Sequence, residues 1–186
     1  MLEPPEWFLE DRRASGADRR DEVWDGVIHV APQPTIEHQL LETLLELALG
    51  PVIRPLGLQI AHTVSVFDER GRDKNYRIPD VIVFDPARAE ANGTTSGVQL
   101  VIEIFSPHDE SRKKVSFYAA RGIPELWLIE PATRVVEVYV LREGVYFGSF
   151  PDTHGRVTAP RFALQLETVA GPKLRIMMAD GSTVDV

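Results

Sequence analysis

Two carboxylates mark the places in this 186-residue chain where chemistry could occur. Asp80 opens the apolar run "PDVIVFD", directly after Pro79, and Glu103 lies 23 positions later inside "QLVIEIFSP". The neighbours of Glu103 are Leu100, Val101, Ile102, Ile104 and Phe105. Apolar residues at both parities imply a strand covered on both faces, where a carboxylate is costly unless it is paired or bound to a cation. If the two runs pair as strands, both carboxylates can point to one place, although the register is not fixed by pattern alone. Two carboxylates with a few backbone or water oxygens are the hard ligands that Mg²⁺ takes. With no cation nearby, one of the two would have to be protonated.

The segment after Glu103 carries the next candidates. Glu110, Lys114 and Tyr118 are spaced four apart and would share one helix face. A face turned toward the strand ends would let Lys114 reach a water or a phosphate oxygen. The competing reading is an exposed Glu110–Lys114 ion pair, worth a few tenths of a kcal/mol. Lys113, one position earlier, points away from that row. Two basic clusters flank the acids: Arg70, Arg72, Lys74 and Arg77, and Arg112, Lys113 and Lys114. Arg77 would either bind phosphate or pair with an acid.

These residues must be positioned by a mixed set of elements. Residues 4–13 suit a short helix begun by Pro4 and Pro5, and Asp25-Gly26 within "DEVWDGVIHV" is a hairpin signal. From Thr35 the pattern is helical: Ile36, Leu40, Leu44 and Leu47 form a stripe that Leu41, Leu45 and Ala48 widen, and Gly50-Pro51 should end or bend the helix. A strand is expected over Leu58–Phe67, a polar loop over 68–77, and a helix over 110–121 capped by Asp109 and stopped by Gly122 and Pro124. "ELWLIE", "RVVEVYVLR", "VYFGSF", "RFALQL" and the Asp180-Gly181 hairpin make the C-terminal third β-rich.

Composition narrows the class. With 44% hydrophobic and 26% charged residues, the chain is an ordinary globular protein of one domain spanning residues 1–186. It contains no cysteine, so disulfides and zinc-thiolate sites are excluded. No apolar stretch approaches the roughly 20 residues of a membrane span, and the N-terminus lacks a secretory pattern, so a cytoplasmic location is expected. A net charge of −8 argues against coating nucleic acid through bulk electrostatics, while leaving room for local basic patches.

The ordered set "RIPDVIVFDP", "LVIEIFSP", "KKVSFYAARGIPELWLIEP" and "VVEVYVL", preceded by "DEVWDGVI" and "APQPTIEHQLL", resembles the Uma-two family, a restriction-endonuclease-like branch of the PD-(D/E)XK nuclease superfamily. The resemblance covers roughly residues 20–145. It implies an α/β (α+β) nuclease core: a central mixed sheet flanked by helices, here with additional C-terminal strands. Asp80 matches the family's Pro-Asp aspartate and Glu103 its glutamate. Phe105 stands where the superfamily's usual lysine would be, and Lys114 matches the lysine that this family carries on the following helix. Glu22 matches the N-terminal glutamate and His38 the helix histidine. By their own patterns, Glu22 and Asp25 could simply flank a hairpin turn, and His38 could be a partly buried, hydrogen-bonded histidine.

The resulting expectation is a Mg²⁺-dependent endonuclease, with Mn²⁺ as an alternative ion, acting on nucleic acid and DNA in particular. Asp80, Glu103 and a backbone carbonyl near Ile104 would hold the metal, with Lys114 beside them and Glu22, His38 and Arg77 in support. Any sequence preference would come from loops such as 85–97 or from a partner. The alternatives are a catalytically inactive nuclease-fold protein that binds nucleic acid or another partner, and a structural protein in which Lys114 or Arg77 satisfies Glu103. The β-rich C-terminal third would cover the sheet or form a homodimer interface.

Overall fold

The apolar runs that flank Asp80 and Glu103 are central strands in the computed structural model, which describes residues 4–69, 71, 72, 74–105 and 110–186. The central sheet has six strands: β1 (Gln59–His62), β2 (Val81–Phe84), β3 (Val98–Ile104), β4 (Glu125–Ile129), β5 (Val136–Arg142) and β6 (Val145–Ser149). They lie side by side in chain order, and all neighbours are antiparallel except β3 and β4. A parallel pair needs a crossover. Here it contains a 3₁₀ turn, Ser111–Lys114, and the helix that we label α3 on introducing α1 (Glu6–Ser15), α2 (Ile36–Ile53) and α3 (Val115–Ala120). A mixed sheet with helices on its faces is the architecture expected from the sequence.

Both faces of β2 and β3 are covered, as their patterning requires. Val81, Val83, Leu100, Ile102 and Ile104 pack in one core with Leu41, Leu45, Leu49 and Ile53 of α2. Ile82, Val101, Leu126 and Leu128 pack on the other face with Phe117 and Tyr118 of α3. Each such side chain contributes roughly 1.5–3 kcal/mol on full burial. Four C-terminal strands (Arg156–Ala159, Leu164–Val169, Lys173–Met177 and Thr183–Asp185) form an antiparallel meander. Its Val157, Leu164, Leu166, Leu174 and Ile176 join the α2 core, so the β-rich third covers the central sheet.

The α2 stripe differs from expectation. Ile36, Leu40, Leu44 and Leu47 are exposed, whereas Leu41, Leu45, Ala48, Leu49 and Ile53 are buried. The helix is apolar on two rows, and the row that also carries His38 and Glu42 faces inward. It also continues through Pro51 to Ile53. A proline so close to the C-terminal end forfeits one helical hydrogen bond while Ile53, fully buried, still anchors the last turn.

The strand expected over Leu58–Phe67 is two strands. Thr63 adopts a left-handed φ of 55°, and the chain leaves β1 for a second sheet at Ser65–Phe67. That sheet also takes in Tyr76–Arg77, from the end of the expected polar loop, and the hairpin Glu22–Trp24/Val27–His29. Asp25 and Gly26, both at positive φ, make the hairpin's turn. The expected Asp109 cap, and Arg70 of the first basic cluster, lie outside the described residues.

Candidate nuclease site

Register brings Asp80 and Glu103 together. Val81 pairs with Ile102 and Ile82 with Val101, so Asp80, one residue before Val81, stands level with Glu103, one residue after Ile102. Both take the parity of the α3 face. The Oδ2 atom of Asp80 accepts a 2.7 Å hydrogen bond from the Ile104 amide. Along an extended strand one residue's N–H and C=O point to the same side. The Ile104 carbonyl is therefore on the Asp80 edge as well.

Glu103 is almost wholly buried, and two residues of the crossover meet it. Lys114 Nζ lies 3.1 Å from Oε2, and the Tyr118 hydroxyl donates to Oε1. Burial pushes the Glu103 carboxyl up, against the pull of the Lys114 ammonium. For Lys114, burial disfavours the charge, but the Glu103 and Glu22 carboxylates outweigh it, and its pKa stands above the ordinary lysine value. Lys114 is thus a fixed cation at neutral pH.

Glu22 positions that cation. Its Oε1 lies 2.8 Å from Lys114 Nζ and accepts from the Ile78 amide, also at 2.8 Å. Its Oε2 accepts from the Trp24 indole at 2.6 Å. Both oxygens are engaged, which suits a support for Lys114. The row expected from Glu110 through Lys114 to Tyr118 is broken. The first turn is 3₁₀, with three residues per turn, so Glu110 pairs with Lys113 at 2.7 Å and the Glu110–Lys114 pair does not form. Glu110 also meets His29 Nδ1 at 2.7 Å, and His29 stacks on Trp24.

Arg77 is buried and turned inward. It donates to the carbonyls of Val23 and Tyr76 and to Asn75 Oδ1, each at 3.0 Å. Its guanidinium lies 4.3 Å from the ring centroids of both Trp24 and Phe117. It braces the second sheet against α3 rather than presenting charge to a ligand. Three residues of the basic clusters are paired with acids: Arg72 with Glu90, Arg112 with Glu137 and Lys113 with Glu110.

His38 enters from the first turn of α2, where Thr35 Oγ1 caps its amide at 3.2 Å. Its Nε2 lies 3.0 Å from Asp80 Oδ1 and 3.3 Å from Glu42 Oε1. Burial opposes its charge, but the two carboxylates prevail and raise its pKa to about 9. The ligand atoms of His38, Glu42 and Asp80 all lie within 4.8 Å of one another. Glu42 was missed in the sequence. The signal was its spacing, His38-x₃-Glu42 on one helix face, which the leucine-rich pattern around it hides. The bond from the Tyr118 hydroxyl was missed as well, because spacing places the residue on the Lys114 face without naming its partner.

Glu22, His38, Asp80, Glu103, Ile104 and Lys114 line a cleft of about 420 Å³ that also takes in Arg20, Trp24 and His29. Its donor set fits a divalent cation: the carboxylates of Asp80 and Glu103 and the Ile104 carbonyl are hard oxygens at one end of β2 and β3.

A family model described as "Putative restriction endonuclease", Uma2, matches residues 8–170. The chain belongs to the Uma2 family. Its fold is similar to that of a solved structure described as a putative nuclease belonging to DUF820 from Anabaena variabilis. That likeness has a TM-score of 0.61 at 23% identity, over 77% of this chain and 83% of the other. A search of curated proteins found no match. Within the Uma2 family, the Asp80, Glu103 and Lys114 expected from the sequence converge on one cleft. Glu22 and His38 border it, and Arg77 is the one expected residue that turns away. Among the described residues no helix is long and apolar enough to cross a membrane.

Proposed function

We propose that this chain acts as one nuclease-like domain that hydrolyses phosphodiester bonds of nucleic acid, DNA in particular, with Mg²⁺ or Mn²⁺ as cofactor. The observation that carries the reading is the level placement of Asp80 and Glu103 with Lys114 held between Glu103 and Glu22. Asp80, Glu103 and the Ile104 carbonyl would hold the ion. When bound, the ion supplies Lewis-acid polarisation of a phosphoryl oxygen and lowers the pKa of water.

The chain's own residues do the rest. A water oxygen bonds to phosphorus and gives up its proton to solvent as the bridging P–O bond breaks and the leaving oxygen takes up a proton from solvent, while negative charge grows on the phosphoryl oxygens. Lys114, fixed as a cation by two carboxylates, orients that water and offsets the growing charge. Its raised pKa makes it a donor rather than a base. Tyr118 holds Glu103 in place by donating to Oε1. Arg20, in the cleft wall, is placed to meet a phosphate of the strand. Such contacts position the backbone without reading sequence.

The setting proposed with this activity is the cytoplasm, and the assembly a homodimer packed through the exposed α2 row. Sedimentation of the wild type against Leu40→Glu checks the assembly. The activity is tested by a cleavage screen over single- and double-stranded DNA and RNA with Mg²⁺ or Mn²⁺, using Asp80→Asn as the blank. Metal-dependent products absent from the blank support the reading, and no products with any substrate contradict it.

A further inference from the structure

His38, Glu42 and Asp80 form a cluster with an excess of negative charge. Among the described residues, the ion pairs of Glu42 and of Asp80 are both with His38. One Nε2–H cannot serve two carboxylates, and neither contact is aligned as a hydrogen bond: His38 Nε2 and Glu42 Oε1 are both buried without a hydrogen-bond partner. The Glu42 side chain is 8% exposed, so water does not compensate it. An unsatisfied carboxylate oxygen in such a place is destabilising, and it is tolerated where a cation completes it.

Asp80 divides its two oxygens. Oδ2 is fixed by the Ile104 amide on the Glu103 side, while Oδ1 faces His38 on the α2 side. We infer that His38, Glu42 and Asp80 form a second divalent-cation site, sharing Asp80 with the Asp80–Glu103 site, and that the site selects a transition ion such as Mn²⁺ over Mg²⁺. The selectivity follows from the donor set. Two carboxylates accept either ion, but an imidazole nitrogen is a ligand for transition ions and a poor one for Mg²⁺. Thr35 fixes the first turn of α2, and the four-residue spacing brings His38 and Glu42 onto one face, so the site is largely formed before any ion enters.

The inference deepens the nuclease reading by adding an ion to the same cleft, but binding at this cluster does not depend on cleavage. The test is Mn²⁺ binding to the full chain, read by calorimetry and by electron spin-echo modulation, which detects a directly bound ¹⁴N nucleus. Wild-type protein should show ¹⁴N modulation, lost in His38→Gln. Glu42→Gln, close in shape, should bind Mn²⁺ at least about 10-fold more weakly at this site, whereas Glu103→Gln should retain the ¹⁴N signal. Mg²⁺ should compete poorly for it. Mn²⁺ bound to wild type without ¹⁴N modulation, or no Mn²⁺ bound at all, overturns the inference. So does full affinity in a folded Glu42→Gln. A ¹⁴N signal in a protein that cleaves no substrate would uphold this site and remove the nuclease reading.

Discussion

The ammonium of Lys114 lies 3.1 Å from Oε2 of Glu103, reaching from the crossover segment to a carboxylate buried in the central sheet. Phe105, two residues beyond Glu103 on the same strand parity, is half-buried against the α3 face. A lysine is therefore supplied to the cleft from the following turn while the strand position remains apolar.

This placement separates two adjacent lysines. Lys113 is mostly exposed and pairs with Glu110, whereas Lys114 is enclosed between Glu22 and Glu103. Lys114→Ala should lower the single-turnover cleavage rate by about 10²–10³-fold, the scale of losing one preorganised donor. Lys113→Ala should change it less than about 3-fold. Equal losses in the two variants would contradict the assignment.

Tyr118→Phe removes the donor to Glu103 Oε1 and leaves a buried acceptor unsatisfied. The expected cost is about 1–3 kcal/mol in urea unfolding. Unfolding indistinguishable from wild type would show that the hydroxyl does not hold Glu103.

The two rows of α2 make opposite predictions. Leu45 is fully buried and Leu47 is 68% exposed. Leu45→Ala should destabilise by about 2–5 kcal/mol, and Leu47→Ala by no more than about 0.5 kcal/mol. Chemical denaturation of both variants checks which row is the core.

Arg77 serves stability. Arg77→Ala should cost about 2–4 kcal/mol through the loss of three hydrogen bonds and two ring contacts. Nucleic-acid affinity at a temperature where the variant is folded should be nearly unchanged. A large affinity loss at full stability would return Arg77 to the substrate surface.

Much of this was legible in the sequence because it rests on period and spacing. The doubly apolar runs at β2 and β3 announced strands buried on both faces, and the Asp80–Glu103 pairing needed only the register that their ladder supplies. The α2 stripe misled because a helix with leucine on two rows does not state which row faces inward; that depends on what the sheet and the C-terminal meander present. The fate of Glu110 depended on whether its turn was α or 3₁₀, a difference of 0.6 residue per turn that no side chain announces. Arg77 and Glu42 are settled by long-range contacts, which one-dimensional spacing cannot rank.

The central claim is that Asp80 and Glu103 together make a catalytic centre. Its most direct test is cleavage of single- and double-stranded DNA with Mg²⁺ by wild type and Glu103→Gln, each shown to be folded by circular dichroism. The account predicts cleavage by wild type that chelation with EDTA stops, and a loss of about 100-fold or more in Glu103→Gln. Cleavage by folded Glu103→Gln at the wild-type rate would contradict it.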